Sequence, residues 1–232
     1  MASAANENGK SLVSQAMDSV KAHIREREMR VGDTLPGEGF FAEQLGVSRA
    51  VMREAFGALA ALKLIDVANG RRAKVGAIDG SVIAASLDHA LSTAQIGVAD
   101  VWDVRRTIEM RTAALAAKHA TPVQAARIVA LAEAMGRDDQ PHDETTEDDI
   151  DFHLAIAEAS GNALFNQIVN SFVPLMRVSV PKAWETRRTA EEQSDILDRH
   201  RKLAWAIANR DPAEAERRMA QHFDESIGAL LR

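Results

Sequence analysis

Residues 31–55 read Val31-Gly32-Asp33-Thr34-Leu35-Pro36-Gly37-Glu38-Gly39-Phe40-Phe41-Ala42-Glu43-Gln44-Leu45-Gly46-Val47-Ser48-Arg49-Ala50-Val51-Met52-Arg53-Glu54-Ala55. Pro36-Gly37 cannot continue a helix from the N-terminal side, so Glu38 opens a short one that runs through Leu45. Gly46-Val47 makes a turn, and Ser48 is a natural N-cap for a second helix reaching about Leu62. Met52, Ala55, Phe56 and Leu59 form its inner face, while Arg49 and Arg53, four residues apart, share the outer one. A short helix, a tight turn and a second helix bearing arginines is the arrangement that lays a recognition helix in a DNA major groove. Ser48, Arg49 and Ala50 occupy the end that reaches base edges. Arginine bonding guanine O6 and N7 supplies roughly 1–3 kcal/mol of discrimination. A merely solvated basic face is the alternative, and spacing alone leaves it open.

Working outward, Leu12, Ala16, Val20 and Ile24 recur every four residues and predict a helix over 11–29. Beyond the second helix, Leu64 to Val67 and Arg72 to Val75 read as paired strands. Asn69-Gly70 between them is a hairpin signal, since both residues tolerate φ > 0. Gly70, Arg71 and Arg72 would form its tip, within reach of DNA. Residues 10–76 therefore read as a winged helix-turn-helix, preceded by a disordered tail over 1–9 and followed by a linker beginning at Gly76 and spanning 77–80. Residues 81–232 read as an all-α bundle of about seven helices, over roughly 81–95, 99–120, 122–136, 144–160, 162–179, 187–209 and 212–231. Pro122 and Pro212 suit first turns capped by Thr121 and Asp211. Pro174 falls inside an apolar helix and should kink it. The polar, acidic segment from Arg137 to Asp149 reads as a mobile loop running into a helix. The fold class is mainly α.

Composition agrees. Hydrophobic residues make up 46% and aromatics 4%, with no tyrosine, which favours helix over strand. With no cysteine, disulfides and thiolate metal sites are excluded, and a cytoplasmic location is expected. No run of about 18 apolar residues suggests a membrane span, and no basic-then-apolar signal is seen at the N-terminus. The net charge is −6, unevenly spread: residues 1–78 hold 11 Lys and Arg against 9 Asp and Glu, and the remainder 17 against 25. A mildly basic head and an acidic body fit a protein that meets phosphate with one end only.

The head resembles the GntR family of bacterial transcription regulators. Val31-Gly32-Asp33-Thr34-Leu35-Pro36-Gly37-Glu38, Leu45-Gly46-Val47-Ser48-Arg49 and Met52-Arg53-Glu54-Ala55 carry the resemblance, which covers residues 11–75. It departs from the family at Gly39 and Phe40, where many members place a polar or basic residue that also contacts DNA. It departs again at the wing, Asn69-Gly70-Arg71-Arg72-Ala73 in place of Gly-x-Gly.

In the body, Asp149 and His153 are four apart and share one helix face, which suits two ligands of one metal. His200 and His222 lie about 10 residues before and 11 after the turn at Asn209 to Pro212, so an antiparallel helix pair brings them to similar height. Three imidazoles and a carboxylate suit Zn²⁺ first, then Ni²⁺, Mn²⁺ or Fe²⁺. Spacing alone favours four unrelated residues. Asp151, two residues from His153, points away. His23, His89, His119 and His142 match nothing.

The body also resembles the all-helical FCD domain of the fatty-acid-regulator (FadR) branch of that family. Arg105-Arg106-Thr107-Ile108-Glu109 with Ala116-Ala117, Asp149 to His153 with Ser160-Gly161-Asn162, and His200 with Met219 to His222 carry this likeness. It implies that Asp149, His153, His200 and His222 bind a divalent metal beside a small organic acid. It also implies a homodimer that binds a pseudo-palindromic double-stranded operator, more often as a repressor. Ligand binding would change the spacing of the two heads. Arg105 is the candidate partner for the acid's carboxylate, or else an intrahelical partner of Glu109. Asn162 either contacts the ligand or caps the following helix. A non-enzymatic regulator is expected. The alternatives are a metal-dependent enzyme with a DNA-binding head and a direct metal sensor.

Overall fold

The computed structural model describes residues 10–68, 70–135, 142–185 and 189–230. The expected tail, Asn69, Pro141 and the start of the acidic segment lie outside them. The chain divides into two compact units, Met1–Asp79 and Gly80–Arg232. Eleven helices and two short strands are present among the described residues.

In the first unit, α1 spans Leu12–Glu26, α2 Glu38–Leu45, α3 Arg49–Ala61, β1 Ile65–Asp66 and β2 Lys74–Val75. Ser11 caps α1 through its hydroxyl, which accepts from Ser14 N. The helix stops at Glu26 rather than Met29, and Glu28 then turns left-handed with φ 49°. Gly46 ends α2 with φ 66°, a conformation that costs a residue with a Cβ and gives the tight turn its shape. Ser48 caps α3 by accepting from Val51 N at 3.3 Å. Ala16, Val20, Leu35, Phe41, Met52, Phe56, Leu59, Ile65 and Val75 form one core.

The wing is smaller than expected, and it has an unexpected third edge. β1 and β2 pair antiparallel over only Ile65↔Val75 and Asp66↔Lys74. On the far side of β2, Gly32 N donates to Val75 O at 2.9 Å, Val75 N to Asp33 O at 2.9 Å, and Leu35 N to Ala73 O at 2.8 Å. The segment leading into α2 is thus stitched to the wing, with Leu35 fully buried beneath it.

In the second unit, α4 spans Ser81–Ser92, α5 Val98–His119, α6 Pro122–Ala134 and α7 His142–Ala159. Then follow α8 at Ala163–Ser171, α9 at Val173–Glu185, α10 at Ala190–Ala208 and α11 at Pro212–Leu230. α5 packs on α11, α7 and α10, and α6 closes over α7 and α10. Ala113, Ala116 and Ala117 on α5 face Phe152, Ile156, Leu203, Ile207, Met219 and Phe223 in one core, and small residues there let the helix axes approach closely. Thr121 and Thr189 form capping boxes with Gln124 and Glu192. The Asp211 carboxylate accepts from Glu214 N at 2.9 Å.

One expectation is corrected. Residues 162–179 form two helices, not one kinked helix: α8 ends at Ser171 with Phe172 as its C-cap, and Pro174 enters the first turn of α9, where its missing N–H breaks no helical hydrogen bond. Among its described residues the body therefore has eight helices. Gly76 and Gly80, at the two ends of the expected linker, each stand where a side chain would not fit. A Cβ on Gly76 would sit 2.3 Å from Lys63 O, and one on Gly80 2.3 Å from Gln167 O. Each is a close backbone contact within its own unit, and Gly80 N also donates to Gln167 Oε1 at 2.8 Å.

Candidate DNA-reading face and candidate metal centre

Ser48, Arg49, Ala50 and Arg53 are all exposed on α3, opposite its buried Met52, Ala55, Phe56 and Leu59. The Ser48 hydroxyl is engaged as the cap. Arg53 Nε lies 3.6 Å from Glu38 Oε2 on α2. Arg49 lies across Gly39, where an added Cβ would stand 3.7 Å from its Nη2. At the wing tip Gly70 has φ 71°, Arg71 N donates to Ala68 O, and Arg71 and Arg72 are exposed. Lys74 on β2 is exposed as well, a cation the sequence reading did not single out although its alternation with buried Ala73 and Val75 marks it.

In the body, α7 supplies Asp149 and His153, α10 His200, and α11 His222, and all four are buried. One ligand atom from each histidine lies within 4.8 Å of the others, and the His200 and His222 ring centroids are 4.7 Å apart. Asp149 joins through Oδ1, 3.0 Å from His200 Nε2. Asp151 is exposed, as its spacing predicts.

Two of the three Nδ1 atoms are held from behind. His200 Nδ1 is 2.9 Å from Ile196 O. A carbonyl only accepts, so hydrogen-bond logic assigns the proton to Nδ1. Nε2 of the neutral ring then offers a lone pair toward another lone pair on Asp149. Such a meeting needs a cation, a proton or a metal ion, in between. His153 Nδ1 contacts Glu109 Oε2, and Glu109 Oε1 accepts from Arg105 Nε at 2.9 Å. His222 Nδ1 is buried with no hydrogen-bond partner.

The electrostatics follow from burial set against neighbours. Burial alone would raise Asp149, but the His200 contact and the surrounding imidazoles hold it well below the usual carboxylate range. Burial likewise opposes ionised Glu109, yet Arg105 and His153 keep it low. Burial lowers His153, and the Glu109 carboxylate more than reverses this. His222 is driven well below an ordinary histidine by burial and by the like charges of His200 and His153. It is therefore neutral near pH 7, the state a metal ligand requires.

These positions can be set beside known proteins. Residues 12–75 match the gntR family of bacterial regulatory proteins, and residues 100–225 match the FCD domain. The chain belongs to the FCD-domain regulators of the gntR family. This FCD regulator is 29% identical to the HTH-type transcriptional regulator LutR of Bacillus subtilis, over 86% of this chain and 92% of that protein. It is 28% identical to the HTH-type transcriptional repressor NanR of Salmonella newport, over 93% and 84%. It is 29% identical to the Glc operon transcriptional activator of Escherichia coli K12, over 88% and 83%. A solved GntR structure from Streptococcus agalactiae matches 93% of the chain and 98% of its own, with a TM-score of 0.65 and 26% identity. The chain is thus a DNA-binding transcription regulator, and among the described residues no helix is long and apolar enough to cross a membrane.

Two effector candidates of this FCD regulator are engaged within the structure. Arg105 is 2% exposed, bonds Glu109, and lies about 5 Å over the rings of Trp102 and Phe223. Asn162 caps α8, its Oδ1 accepting from Leu164 N and Phe165 N. Sequence reasoning missed Glu109 as the group that orients His153. The signal was there: Arg105 and Glu109 stand four apart on a helix face otherwise carrying Trp102, Thr112 and Ala113, all buried.

Proposed function

We propose that this regulator is a homodimeric repressor whose operator affinity is lowered by a small organic acid bound beside a divalent metal in the body. The observation that carries the metal is the buried convergence of His153, His200 and His222 with Asp149, three nitrogens and one oxygen. The donor set fits a borderline-soft divalent ion such as Zn²⁺. Two local facts support the fit: the unpartnered His222 Nδ1, and the outward-held Nδ1 atoms of His153 and His200, the arrangement that orients metal-binding histidines. When bound, the ion would act as a Lewis acid toward a carboxylate. Asp149, His153, His200 and His222 would hold it, and Glu109 would fix the tautomer of His153.

The acid would complete the ion's coordination. Arg105 contributes through Glu109 in this reading, rather than as a free guanidinium. Glu109 is also the buried carboxylate nearest a general-base role, and its commitment to Arg105 and His153 favours a sensor over a hydrolase. The Ser48-capped α3 already presents Arg49 and Arg53 to solvent, which supports an effector that weakens operator binding. Such coupling is typically about 1–3 kcal/mol.

Native mass spectrometry of the purified protein, before and after chelation, tests the site. A dimer with one metal per chain is expected, together with metal-dependent binding of small carboxylates that shifts operator affinity. A protein that takes up no Zn²⁺, Ni²⁺, Mn²⁺ or Fe²⁺ would overturn the proposal and leave the four residues a structural cluster.

A further inference from the structure

We infer that Glu38 is a positioning residue for DNA recognition, which turns Arg53 from a phosphate neutraliser into a reader of base edges. Arg53 on α3 is exposed, its side chain 76% accessible, and its Nε lies 3.6 Å from Glu38 Oε2. Glu38 is the first residue of α2, where the partial positive charge of the helix N-terminus favours a carboxylate. The pair joins the two helices of the DNA-reading motif, and its net charge is zero.

That neutrality separates two kinds of DNA contact. A phosphate approaching Arg53 also meets the Glu38 carboxylate, so little is gained from charge and few counterions are released. A guanine edge carries no net charge, and its O6 and N7 accept hydrogen bonds from a guanidinium whether or not a carboxylate stands behind it. Glu38 therefore weakens non-specific binding more than specific binding. Arg71, Arg72 and Lys74 at the wing are left to supply the phosphate contacts.

The inference rests on α3 being the DNA-reading helix. The experiment uses the full chain, a duplex selected from a random pool by the wild type, and a scrambled duplex of equal length. Affinities are measured across roughly 50–200 mM salt. Glu38→Gln is expected to tighten binding to the scrambled duplex more than to the selected one, so the specificity ratio falls. It should also steepen the log K against log salt slope by about 0.9, the value for one added phosphate contact. The added slope should vanish in Glu38→Gln/Arg53→Gln. An unchanged slope in Glu38→Gln, or added slope that survives loss of Arg53, overturns the inference. Arg49→Ala separates the underlying reading. If it leaves affinity for the selected duplex intact, α3 is not the reading helix; if it weakens binding while Glu38→Gln does nothing, only the role of Glu38 fails.

Discussion

The head and the body use their charged residues in opposite ways. On the head, Arg49, Arg53, Arg71 and Arg72 stand in water around an ordinary apolar core. In the body, Arg105, Glu109, Asp149, His153, His200 and His222 are taken out of water, and Glu109 pairs with Arg105 and His153 while Asp149 meets His200. An exposed set acts at a distance, is screened by salt, and tolerates change in any one member. A buried set acts by contact, is barely screened, and fails when one member is removed. Reading a polyanion calls for the first design, and the small-ligand site proposed for the body would call for the second.

The largest effect should come from breaking the buried set. Glu109→Ala strands Arg105 and His153 without their shared partner, and removing one side of a buried pair costs roughly 3–5 kcal/mol. Urea unfolding of the chelated protein checks this; a change under about 1 kcal/mol would mean that water replaces the carboxylate. His200→Ala removes a proposed ligand outright. Loss of an orienting partner alone lowers metal affinity about 10–100-fold, and loss of a ligand should exceed that in a chelator-competition titration, with binding of the head to a scrambled duplex unchanged.

Arg49→Ala on the head should cost about 1–3 kcal/mol on a selected operator and leave melting untouched, as an exposed residue should. Acid sharpens the contrast. His222 has a depressed pKa in the fold, so the unfolded chain binds more protons and stability of the metal-free protein falls as pH drops below about 6.5. His153 runs the other way. Its pKa is raised, so its contribution is full below about 6.5 and fades as pH rises through the raised value. Asp149 and Glu109, both depressed, lose theirs only as pH falls below about 4. His222→Phe should flatten the first of these slopes in melting curves of the chelated protein, and an unchanged slope would assign the proton elsewhere. The smallest effect belongs to the surface: breaking the exposed Arg106–Asp224 pair with Arg106→Ala should cost about 1 kcal/mol or less.

Legibility in the sequence divided along physical lines. The turn at Gly46 and the cap at Ser48 were readable because both are decided within a few residues. The proximity of His200 and His222 was readable too, since a short turn fixes the register of two helices. Pairing of residues 32–35 with 73–75 was not readable, because three hydrogen bonds across some forty positions leave no periodic trace. Pro174 marked a disturbance without saying which kind, since proline both kinks a helix and begins one. For Glu109 the pairing with Arg105 was readable from a spacing of four, whereas its contact with His153 was not, because that depends on how α5 packs against α7.

The stitch between the wing and the segment before α2 has a consequence for variation. Gly32, Asp33 and Leu35 grip β2 by its backbone, while the described tip beyond β1 is closed by the Arg71–Ala68 contact. Lengthening or recharging the loop between Val67 and Arg72 should leave the stitch in place, so the tip is open to exchange as a cassette. An insertion of one residue at Thr34 would slide Leu35 out of the core and displace the lead-in to α2. Changes at the tip should therefore alter how strongly the head meets phosphate rather than which bases α3 reads, and leave the helices undisturbed.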